Sequence, residues 1–337
     1  MTTDTELAPT QSRVDIAALG TAFCSAKILL SALELGLFTE LAAGPATETE
    51  LRERLGLHPR ATRDFFTALV ALGLLERDGD RYRNSAAAQQ DLVRGPGYQG
   101  GFLEGANFVL YPTWGRLTDA LRTGAPQAMG DLGELLRDPA MREGYLAMQD
   151  GLSAPFAPSI DAAVDWTGYQ TLLDIGGARG NLAGLLLRAR PHLRGWVFDQ
   201  PQNEQSCTEH AARLGVADRL RFRGGDFFTD ALPETDVAVI GHVLADFDQD
   251  ERRTLVAQAF LAIRPGGTFV VYDPMVDEHH PDLPALVNSL HMLVMTPGGA
   301  AYAPGECVGW LTEAGFTDVS ARPVGVGNTM VVGHKNR

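Results

Sequence analysis

The chain has 337 residues, which is enough for two domains or for one large domain with a helical appendage. Its 42 acidic residues outnumber 28 lysines and arginines, and the net charge of −14 argues against nucleic acid or a membrane as a partner, because phosphate binders need a basic surface. No run of 18 apolar residues occurs, and residues 1–15 lack the features of a signal peptide, so we expect no membrane span and a disordered tail over 1–15.

The first elements in chain order predict a mostly helical domain. They are a helix from Ile16 to about Leu41 that closes near Gly36, a capping box at residues 47–50 before a helix over 51–55, a helix after Pro59, and two short strands over 74–76 and 81–83. Three helices followed by a hairpin are typical of a winged helix. Residues 40–84 carry almost equal acidic and basic charge, which favours packing against a second subunit over DNA binding. We therefore predict a winged-helix-like dimerisation domain over residues 16–98.

The remainder of the chain predicts a helical connector and then an α/β domain. Residues 99–165 are helical in pattern and rich in aromatic side chains, and we expect them to line a substrate pocket. From residue 166 to 337 apolar strands alternate with helices. The predicted strands are 171–175, 195–198, 220–224, 237–240, 268–273 and 330–333, with helices such as 182–190 and 251–263 between them. This alternation predicts a parallel, doubly wound Rossmann-like sheet whose ligands bind at the carboxyl ends of the strands.

Three successive strand ends carry groups suited to a nucleoside. The first strand is followed by a turn that contains Gly176 and Gly177, where a ligand can approach the backbone and the next helix offers free N–H groups. Asp199 ends the second strand and is placed to accept both ribose hydroxyls. Asp226 and Phe227 follow the third strand and offer an acceptor and an aromatic face to an adenine. The nucleoside could belong to NAD or to S-adenosylmethionine, since both use a glycine turn and a ribose carboxylate.

Several motifs together resemble those of the class I methyltransferases of the small-molecule O-methyltransferase type, found in bacterial secondary metabolism and plant phenolic pathways. They are Leu173-Asp-Ile-Gly-Gly-Ala-Arg-Gly180, Val197-Phe-Asp-Gln-Pro201, Gly225-Asp-Phe-Phe228, Ile263-Arg-Pro-Gly-Gly267 and Gly309-Trp-Leu-Thr-Glu-Ala-Gly-Phe316. The resemblance covers nearly the whole chain. It implies that the glycines hold the methionine part of S-adenosylmethionine, that Asp199 takes the ribose, and that Asp226 and Phe227 take the adenine; Met148 and Ser153 match a further pair near the cofactor loosely.

The chain departs from this family pattern at two positions. Ala178 stands where the family often has a glycine. Ala245 stands where the resemblance places the catalytic histidine, within the stretch Val243-Leu-Ala-Asp-Phe247. An imidazole there would remove a proton from a phenol with a pKa near 10, and alanine cannot do this.

Other residues near the fourth strand are candidates for that role. We take His291 and Asp246 as candidate catalytic residues and His242 as a candidate cofactor contact; for each histidine the alternative is a pocket-lining or surface position. His242, Asp246 and His291 together could also hold a metal, but their spacing is not diagnostic and we expect none. The three cysteines have no zinc-binding spacing and favour a reduced, cytoplasmic setting.

The sequence thus predicts a homodimeric, S-adenosylmethionine-dependent methyltransferase that acts on a small, aromatic or polyketide-like metabolite. Because the usual base is absent, we consider two further possibilities beside base-assisted O-methylation. One is C-methylation, and the other is methylation of an acceptor that ionises by itself. One alternative is an enzyme that binds the same cofactor for decarboxylation, hydroxylation or rearrangement. Another is a non-catalytic winged-helix protein that binds a nucleoside.

Overall fold

A computed structural model describes residues 14–95, 98–128, 139–277, 282–325 and 327–337. The chain divides into two compact units, Met1–Asn107 and Phe108–Arg337. The predicted connector over 99–165 is therefore shared between the units, with residues 99–107 in the first and the remainder in the second. Residues 1–13 of the predicted tail lie outside the described part.

The first unit has the predicted order of helices and hairpin. Its elements are α1 Ile16–Glu34, α2 Leu37–Leu41, β1 Ala46–Thr47, α3 Glu48–Arg54, α4 Thr62–Ala71, β2 Leu75–Asp78, β3 Arg81–Asn84, α5 Ala86–Asp91 and α6 Gly101–Gly105. Gly36, with a φ of 71°, separates α1 from α2. The capping box between Thr47 and Glu50 is confirmed, since each side chain bonds the other's backbone N–H. The strands form an antiparallel sheet in the order β1-β3-β2, with Phe66 and Tyr82 in the core below it.

Helix α1 is the one helix in the described ranges that has the length and mean hydropathy to cross a membrane. Only 17% of its most apolar 18-residue window is buried. Ile16, Leu19 and Phe23 are more than half exposed. The helix therefore carries apolar surface that the isolated chain leaves uncovered.

Helices of the second unit surround a single large sheet. A π-helical turn, Ala106–Leu110, leads from the first unit into it, and the α-helices are α7 Tyr111–Trp114, α8 Leu117–Thr123, α9 Pro139–Ser153, α10 Ala157–Ala163, α11 Asn181–Ala189, α12 Glu204–Leu214, α13 Gln249–Ala262, α14 Leu283–Met295 and α15 Pro304–Ala314. Short 3-10 turns occupy Ala154–Phe156, Pro201–Asn203 and Leu244–Asp246.

The sheet has seven strands in the order β6-β5-β4-β7-β8-β10-β9. They are β4 Thr171–Ile175, β5 Arg194–Asp199, β6 Leu220–Gly224, β7 Thr235–Gly241, β8 Ile263–Asp273, β9 Thr317–Val324 and β10 Asn328–His334. Strands β4 to β8 are parallel, as predicted, whereas the last predicted strand, β10, pairs antiparallel with both β8 and β9. Strand β9 was not predicted. Its side chains are mostly exposed at the sheet edge, so it lacks the apolar run of a buried strand.

Both faces of the sheet are covered by apolar side chains. Leu186 of α11 and Val197 belong to one core cluster. Leu173 and Phe269 belong to the other, together with Trp310 of α15. In the register of the parallel strands, Asp174 lies beside Val197 of β5 and Val239 of β7. The carboxyl ends of these strands therefore lie at one edge, and the loops that follow them share that edge.

Candidate active site

The turn between β4 and α11 needs glycine at two successive positions. Gly176 has a φ of 71°, and a Cβ atom on it would lie 2.7 Å from the side chain of Val243. A Cβ atom on Gly177 would lie 2.5 Å from the carboxyl carbon of Asp174. Real Cβ contacts are not this short, so any larger residue would shift the turn or its neighbours. Because the two glycines have no side chains, a ligand can approach the backbone closely at this carboxyl edge.

Ala178, the first departure from the family pattern, adopts a left-handed conformation. Its φ is 51°, which a residue with a Cβ adopts at a cost. Its backbone N–H donates to Oδ2 of Asp199 at 2.8 Å, and this bond fixes the turn against the end of β5. The structure thus accommodates alanine here by tying the strained residue to the carboxylate of the next strand.

The carboxylate of Asp199 accepts more hydrogen bonds from the protein than the sequence suggests. Besides the Ala178 bond, its Oδ1 accepts the N–H of Gln200 at 2.7 Å and the side-chain amide of Asn203 at 2.8 Å. A carboxylate has about four acceptor positions, so the protein leaves about one for a ligand hydroxyl. Burial raises the pKa of Asp199, while the hydrogen bonds oppose that rise. The expectation that Asp199 accepts both ribose hydroxyls therefore requires one of these protein bonds to give way.

His242 lies in a cavity below the glycine turn. Asp174, Gly176, Ser153 and Tyr272 line the same cavity. The imidazole Nε2 of His242 is 2.9 Å from the side-chain oxygen of Asn328, and its residue has a φ of 55°. Burial lowers the pKa of His242, so the ring is neutral at neutral pH. Its place in this cavity agrees with a cofactor contact.

The cavity also contains a buried acid. Burial raises the pKa of Asp174 to about 7, and the charge of Asp199 adds to the rise, although the Ala183 N–H bond opposes it. Asp174 is therefore partly protonated at neutral pH. A cationic ligand group nearby would shift it towards the charged form.

Asp226 and Phe227 lie beyond β6 at the outer part of the edge. Asp226 is exposed, and its Oδ1 accepts the N–H of Phe228 at 2.9 Å. The rings of Phe227, Phe228 and Phe247 meet edge to face, with centroids 5.0 to 5.7 Å apart. The predicted adenine contacts thus stand next to an aromatic cluster that includes Phe247 from the turn after β7.

Helix α9 contributes contacts that the sequence reasoning missed. Arg179, in the glycine turn, is 6% exposed and donates to Asp150 and to Glu143, each at 2.6 Å. The side-chain amide of Asn181 donates to Ser153 at 3.3 Å. The sequence signal for these contacts was Arg179 itself, because an arginine inside a glycine turn is close to the core and needs acidic partners when it is buried. Of the loosely matched pair, Ser153 lines the cavity.

Ala245 and Asp246 lie in the 3-10 turn that follows β7. The N–H of Ala245 donates to Oδ2 of Asp273 at 3.2 Å, and the hydroxyl of Tyr302 donates to the same oxygen at 2.9 Å. The other oxygen of Asp273, Oδ1, is buried and has no hydrogen-bond partner in the described part of the chain. Asp273 and Tyr302 were not predicted as site residues, since they follow Ala245 by 28 and 57 positions and only the fold brings them together.

The carboxyl group of Asp246 has a pKa suited to a base at neutral pH. The residue is partly exposed, yet removal of its carboxyl group from water raises its pKa to about 7, and the charge of Asp273 adds to the rise while Arg252 opposes it. Burial also raises the pKa of Tyr145, on α9, and the charges of Asp246 and Asp199 raise it further. Tyr145 therefore lies within electrostatic range of both the predicted ribose carboxylate and the predicted catalytic carboxylate.

His291 lies on α14, which packs against the Leu244–Asp246 turn. Its ring centroid is 5.0 Å from that of Trp114, with the planes at 85°. Burial lowers its pKa, so the imidazole is neutral. Among the described residues, no three histidines, cysteines or acids lie close enough together to hold a metal ion.

The chain matches two families along most of its length. Residues 18–93 match the O-methyltransferase dimerisation domain, and residues 114–317 match the O-methyltransferase domain. The chain belongs to the O-methyltransferase family. The chain is therefore an S-adenosylmethionine-dependent methyltransferase, as the sequence predicted, and NAD is set aside as its cofactor.

Relatives and solved structures cover nearly the whole chain. The tetracenomycin polyketide synthesis 8-O-methyl transferase TcmO of Streptomyces glaucescens is 47% identical over 96% of this chain and 97% of its own length. The N,N-dimethyltransferase OxyT of Streptomyces rimosus is 42% identical over 93% of each chain. Human N-acetylserotonin methyltransferase, solved with S-adenosylmethionine, superposes with a TM-score of 0.87 at 26% identity, over 97% of this chain and 100% of that one.

Proposed function

We propose that this methyltransferase transfers the methyl group of S-adenosylmethionine to a phenolic oxygen of an aromatic, polyketide-type metabolite. The similarity to the tetracenomycin 8-O-methyl transferase supports the acceptor class. The observation that carries the reaction is the carboxyl group of Asp246, which follows β7 and has a pKa of about 7. A base with that pKa is half ionised at neutral pH and can accept a phenolic proton.

The residues divide between holding the cofactor and managing the acceptor proton. Gly176, Gly177, Asp199 and His242, with Asp226 and Phe227 at the outer edge, hold S-adenosylmethionine, which supplies an electrophilic methyl group when bound. Asp246 then accepts the proton of the acceptor hydroxyl, so that an oxygen lone pair becomes available for the methyl carbon. His291 orients the acceptor. Ala245 removes the imidazole that family members use, and this favours acceptors that ionise easily.

The test uses one weakly acidic and one strongly acidic acceptor, 1-naphthol and 2-hydroxy-1,4-naphthoquinone, with methyl-labelled S-adenosylmethionine. We expect labelled O-methyl products from the wild type. The Asp246→Asn variant should lose roughly 10²-fold in turnover of 1-naphthol but far less with the quinone, whose hydroxyl is already ionised at neutral pH. For 1-naphthol, wild-type turnover should rise with pH and level off above about 7.

Asp250→Asn is the matched control, because that carboxylate lies four residues away and its side chain is 96% exposed. It should turn over both acceptors as the wild type does. Equal losses on both acceptors in Asp246→Asn would contradict a role in proton transfer. An altered product without the label would contradict methyl transfer itself, and a label on ring carbon would replace O-methylation with C-methylation.

We propose further that the enzyme is a cytoplasmic homodimer formed through α1. The matched dimerisation domain and the exposed apolar side chains of Leu19 and Phe23 support this assembly. The three free cysteines agree with a reduced compartment. In sedimentation, Leu19→Glu with Phe23→Glu should shift dimer to monomer, whereas Leu261→Glu, at a 72% exposed position in the second unit, should not. A wild-type monomer at micromolar concentration, or wild type that pellets with lipid vesicles, would contradict the proposal.

A further inference from the structure

Trp114 carries a hydrogen-bond donor for which no described residue supplies an acceptor. Its indole Nε1 is buried and has no acceptor within the described ranges. An indole N–H can only donate, and a buried donor without a partner destabilises the fold. By contrast, the indole N–H of Trp166 donates to the backbone oxygen of Asp161 at 3.0 Å. The fold therefore satisfies one buried indole N–H and leaves the other open.

The surroundings of Trp114 connect it to the turn that holds Asp246. Helix α7 ends at Trp114 and packs against α14, and α14 in turn packs against the turn that holds Asp246. The neighbouring ring of His291 meets the Trp114 ring edge to face and has no hydrogen bond to any described residue. Met292, the next residue on α14, packs against the cluster that contains Ala245. Two polar rings without hydrogen-bond partners among the described residues thus face each other on helices that connect to the turn of Asp246.

We propose that the Nε1–H of Trp114 donates a hydrogen bond to an oxygen of the acceptor other than the one that is methylated. This inference rests on the proposed aromatic acceptor and makes its class narrower. A ring carbonyl or phenolate oxygen is the group that satisfies an indole donor, so the preferred acceptor is a keto-phenol. Trp114 acts as a specificity-determining residue, because a site with an open donor rejects an analogue that lacks the matching oxygen.

The geometry also explains why an indole suits this position. The edge-to-face contact with His291 limits the rotation of the Trp114 ring and therefore fixes the direction of its N–H. One fixed donor orients a flat aromatic molecule within its own plane. The distance around the ring between the bonded oxygen and each hydroxyl then determines which hydroxyl lies next to Asp246. The donor would in this way select both the compound and the hydroxyl.

The experiment measures binding of two compounds that differ in their carbonyl groups, 1-hydroxyanthraquinone and 1-hydroxyanthracene, by equilibrium dialysis with S-adenosylhomocysteine present. Trp114→Phe keeps an aromatic ring and removes the N–H. We expect its dissociation constant for the quinone to rise about tenfold, and that for the anthracene to change less than twofold. Benzothienylalanine incorporated at position 114 replaces the N–H by sulfur at nearly constant shape and should reproduce the same ratio if Trp114→Phe folds poorly.

Trp166→Phe is the matched control, since it removes an indole N–H that already has a protein acceptor, and it should leave the ratio of the two constants unchanged. Equal weakening of both compounds by the position-114 variants, or no weakening, would overturn the inference while leaving the proposed function intact. Wild-type enzyme that binds neither compound would contradict the aromatic acceptor class, and the inference would fall with it.

Discussion

The carboxyl edge of the sheet has two halves that differ in how far the protein satisfies its own polar groups. On the half where we propose that the cofactor binds (the cofactor half), Asp199 accepts three protein hydrogen bonds and Arg179 donates to two acids of α9. On the half where we propose that the acceptor binds (the acceptor half), Nε1 of Trp114 and Oδ1 of Asp273 are buried and have no hydrogen-bond partner among the described residues. They are two of the three such atoms recorded in the described residues.

This difference corresponds to what each half must do. One cofactor serves the whole family, so its site can be shaped in advance by bonds within the protein. An acceptor differs between relatives, as the names of the oxygen and nitrogen methyltransferases among them indicate. Polar groups without a hydrogen-bond partner in the protein are therefore expected where the acceptor is selected, because the bound acceptor supplies the missing partner.

The largest effect is expected on the cofactor half. Asp199→Ala removes the acceptor for a ribose hydroxyl and also the anchor of the strained Ala178, so both the contact and the shape of the turn are lost. We expect affinity for S-adenosylmethionine in calorimetry to fall by at least about 10²-fold, with the fold retained. Asp218→Ala, with a side chain 79% exposed beside Arg219, is the control and should bind normally. Unchanged affinity in Asp199→Ala would remove the distinction between the halves, because the cofactor site would lie elsewhere.

A smaller effect, confined to the acceptor half, is expected from His291. We expect His291→Ala to lower turnover roughly 10²-fold while the affinity for S-adenosylmethionine stays unchanged, because the ring faces Trp114 and not the glycine turn. His192→Ala, at an exposed position in the loop before β5, is the control. A loss of cofactor affinity in His291→Ala would show that the two halves are not separable at this residue.

The sequence placed the residues proposed for the cofactor at the carboxyl edge but gave no sign of Trp114 or Asp273, for a physical reason. Gly176, Gly177 and Asp199 are fixed by a short turn and by the ends of adjacent parallel strands, so their spacing along the chain carries their spacing in space. Trp114 and Asp273 meet the site only through tertiary packing, and no local pattern marks a donor or acceptor that the fold leaves unbonded. The edge strand β9 was missed for a related reason, because an exposed strand has no apolar signature.

A gain of function would sharpen the comparison. In Ala245→His the new imidazole would stand beside the open Oδ1 of Asp273, which can accept its N–H and hold the ring as a base. We expect methylation of 1-naphthol to increase about tenfold, and turnover of the strongly acidic 2-hydroxy-1,4-naphthoquinone to remain the same. Ala245→Leu fills similar space without a base and should give no increase. If Ala245→His improves neither acceptor, the turn after β7 is not at the reacting centre.

The last expected effect concerns the stability of the protein and the carboxyl group of Asp273, whose Oδ1 has no hydrogen-bond partner among the described residues. Burial raises its pKa to about 7, above the value of about 4 for an unfolded chain, while Tyr302 and Ala245 oppose the rise through hydrogen bonds. The folded protein thus binds more protons than the unfolded chain between pH 4 and 7. The stability that this group contributes is present below pH 4 and is lost as the pH rises through 7.

The free energy of unfolding from urea titrations should accordingly fall between pH 5 and pH 8, and Asp273→Asn should make that fall shallower by about 2 to 3 kcal/mol. At pH 5 the variant should be less stable than the wild type, because the amide places two N–H donors where the protonated carboxyl has one O–H, and no described residue supplies an acceptor there. Asp218→Asn changes an exposed carboxylate and should leave the slope as it is. An unchanged slope in Asp273→Asn would mean that Oδ1 finds a partner in solution. The acceptor half would then be as fully bonded as the cofactor half at this residue, and only Trp114 would still distinguish them.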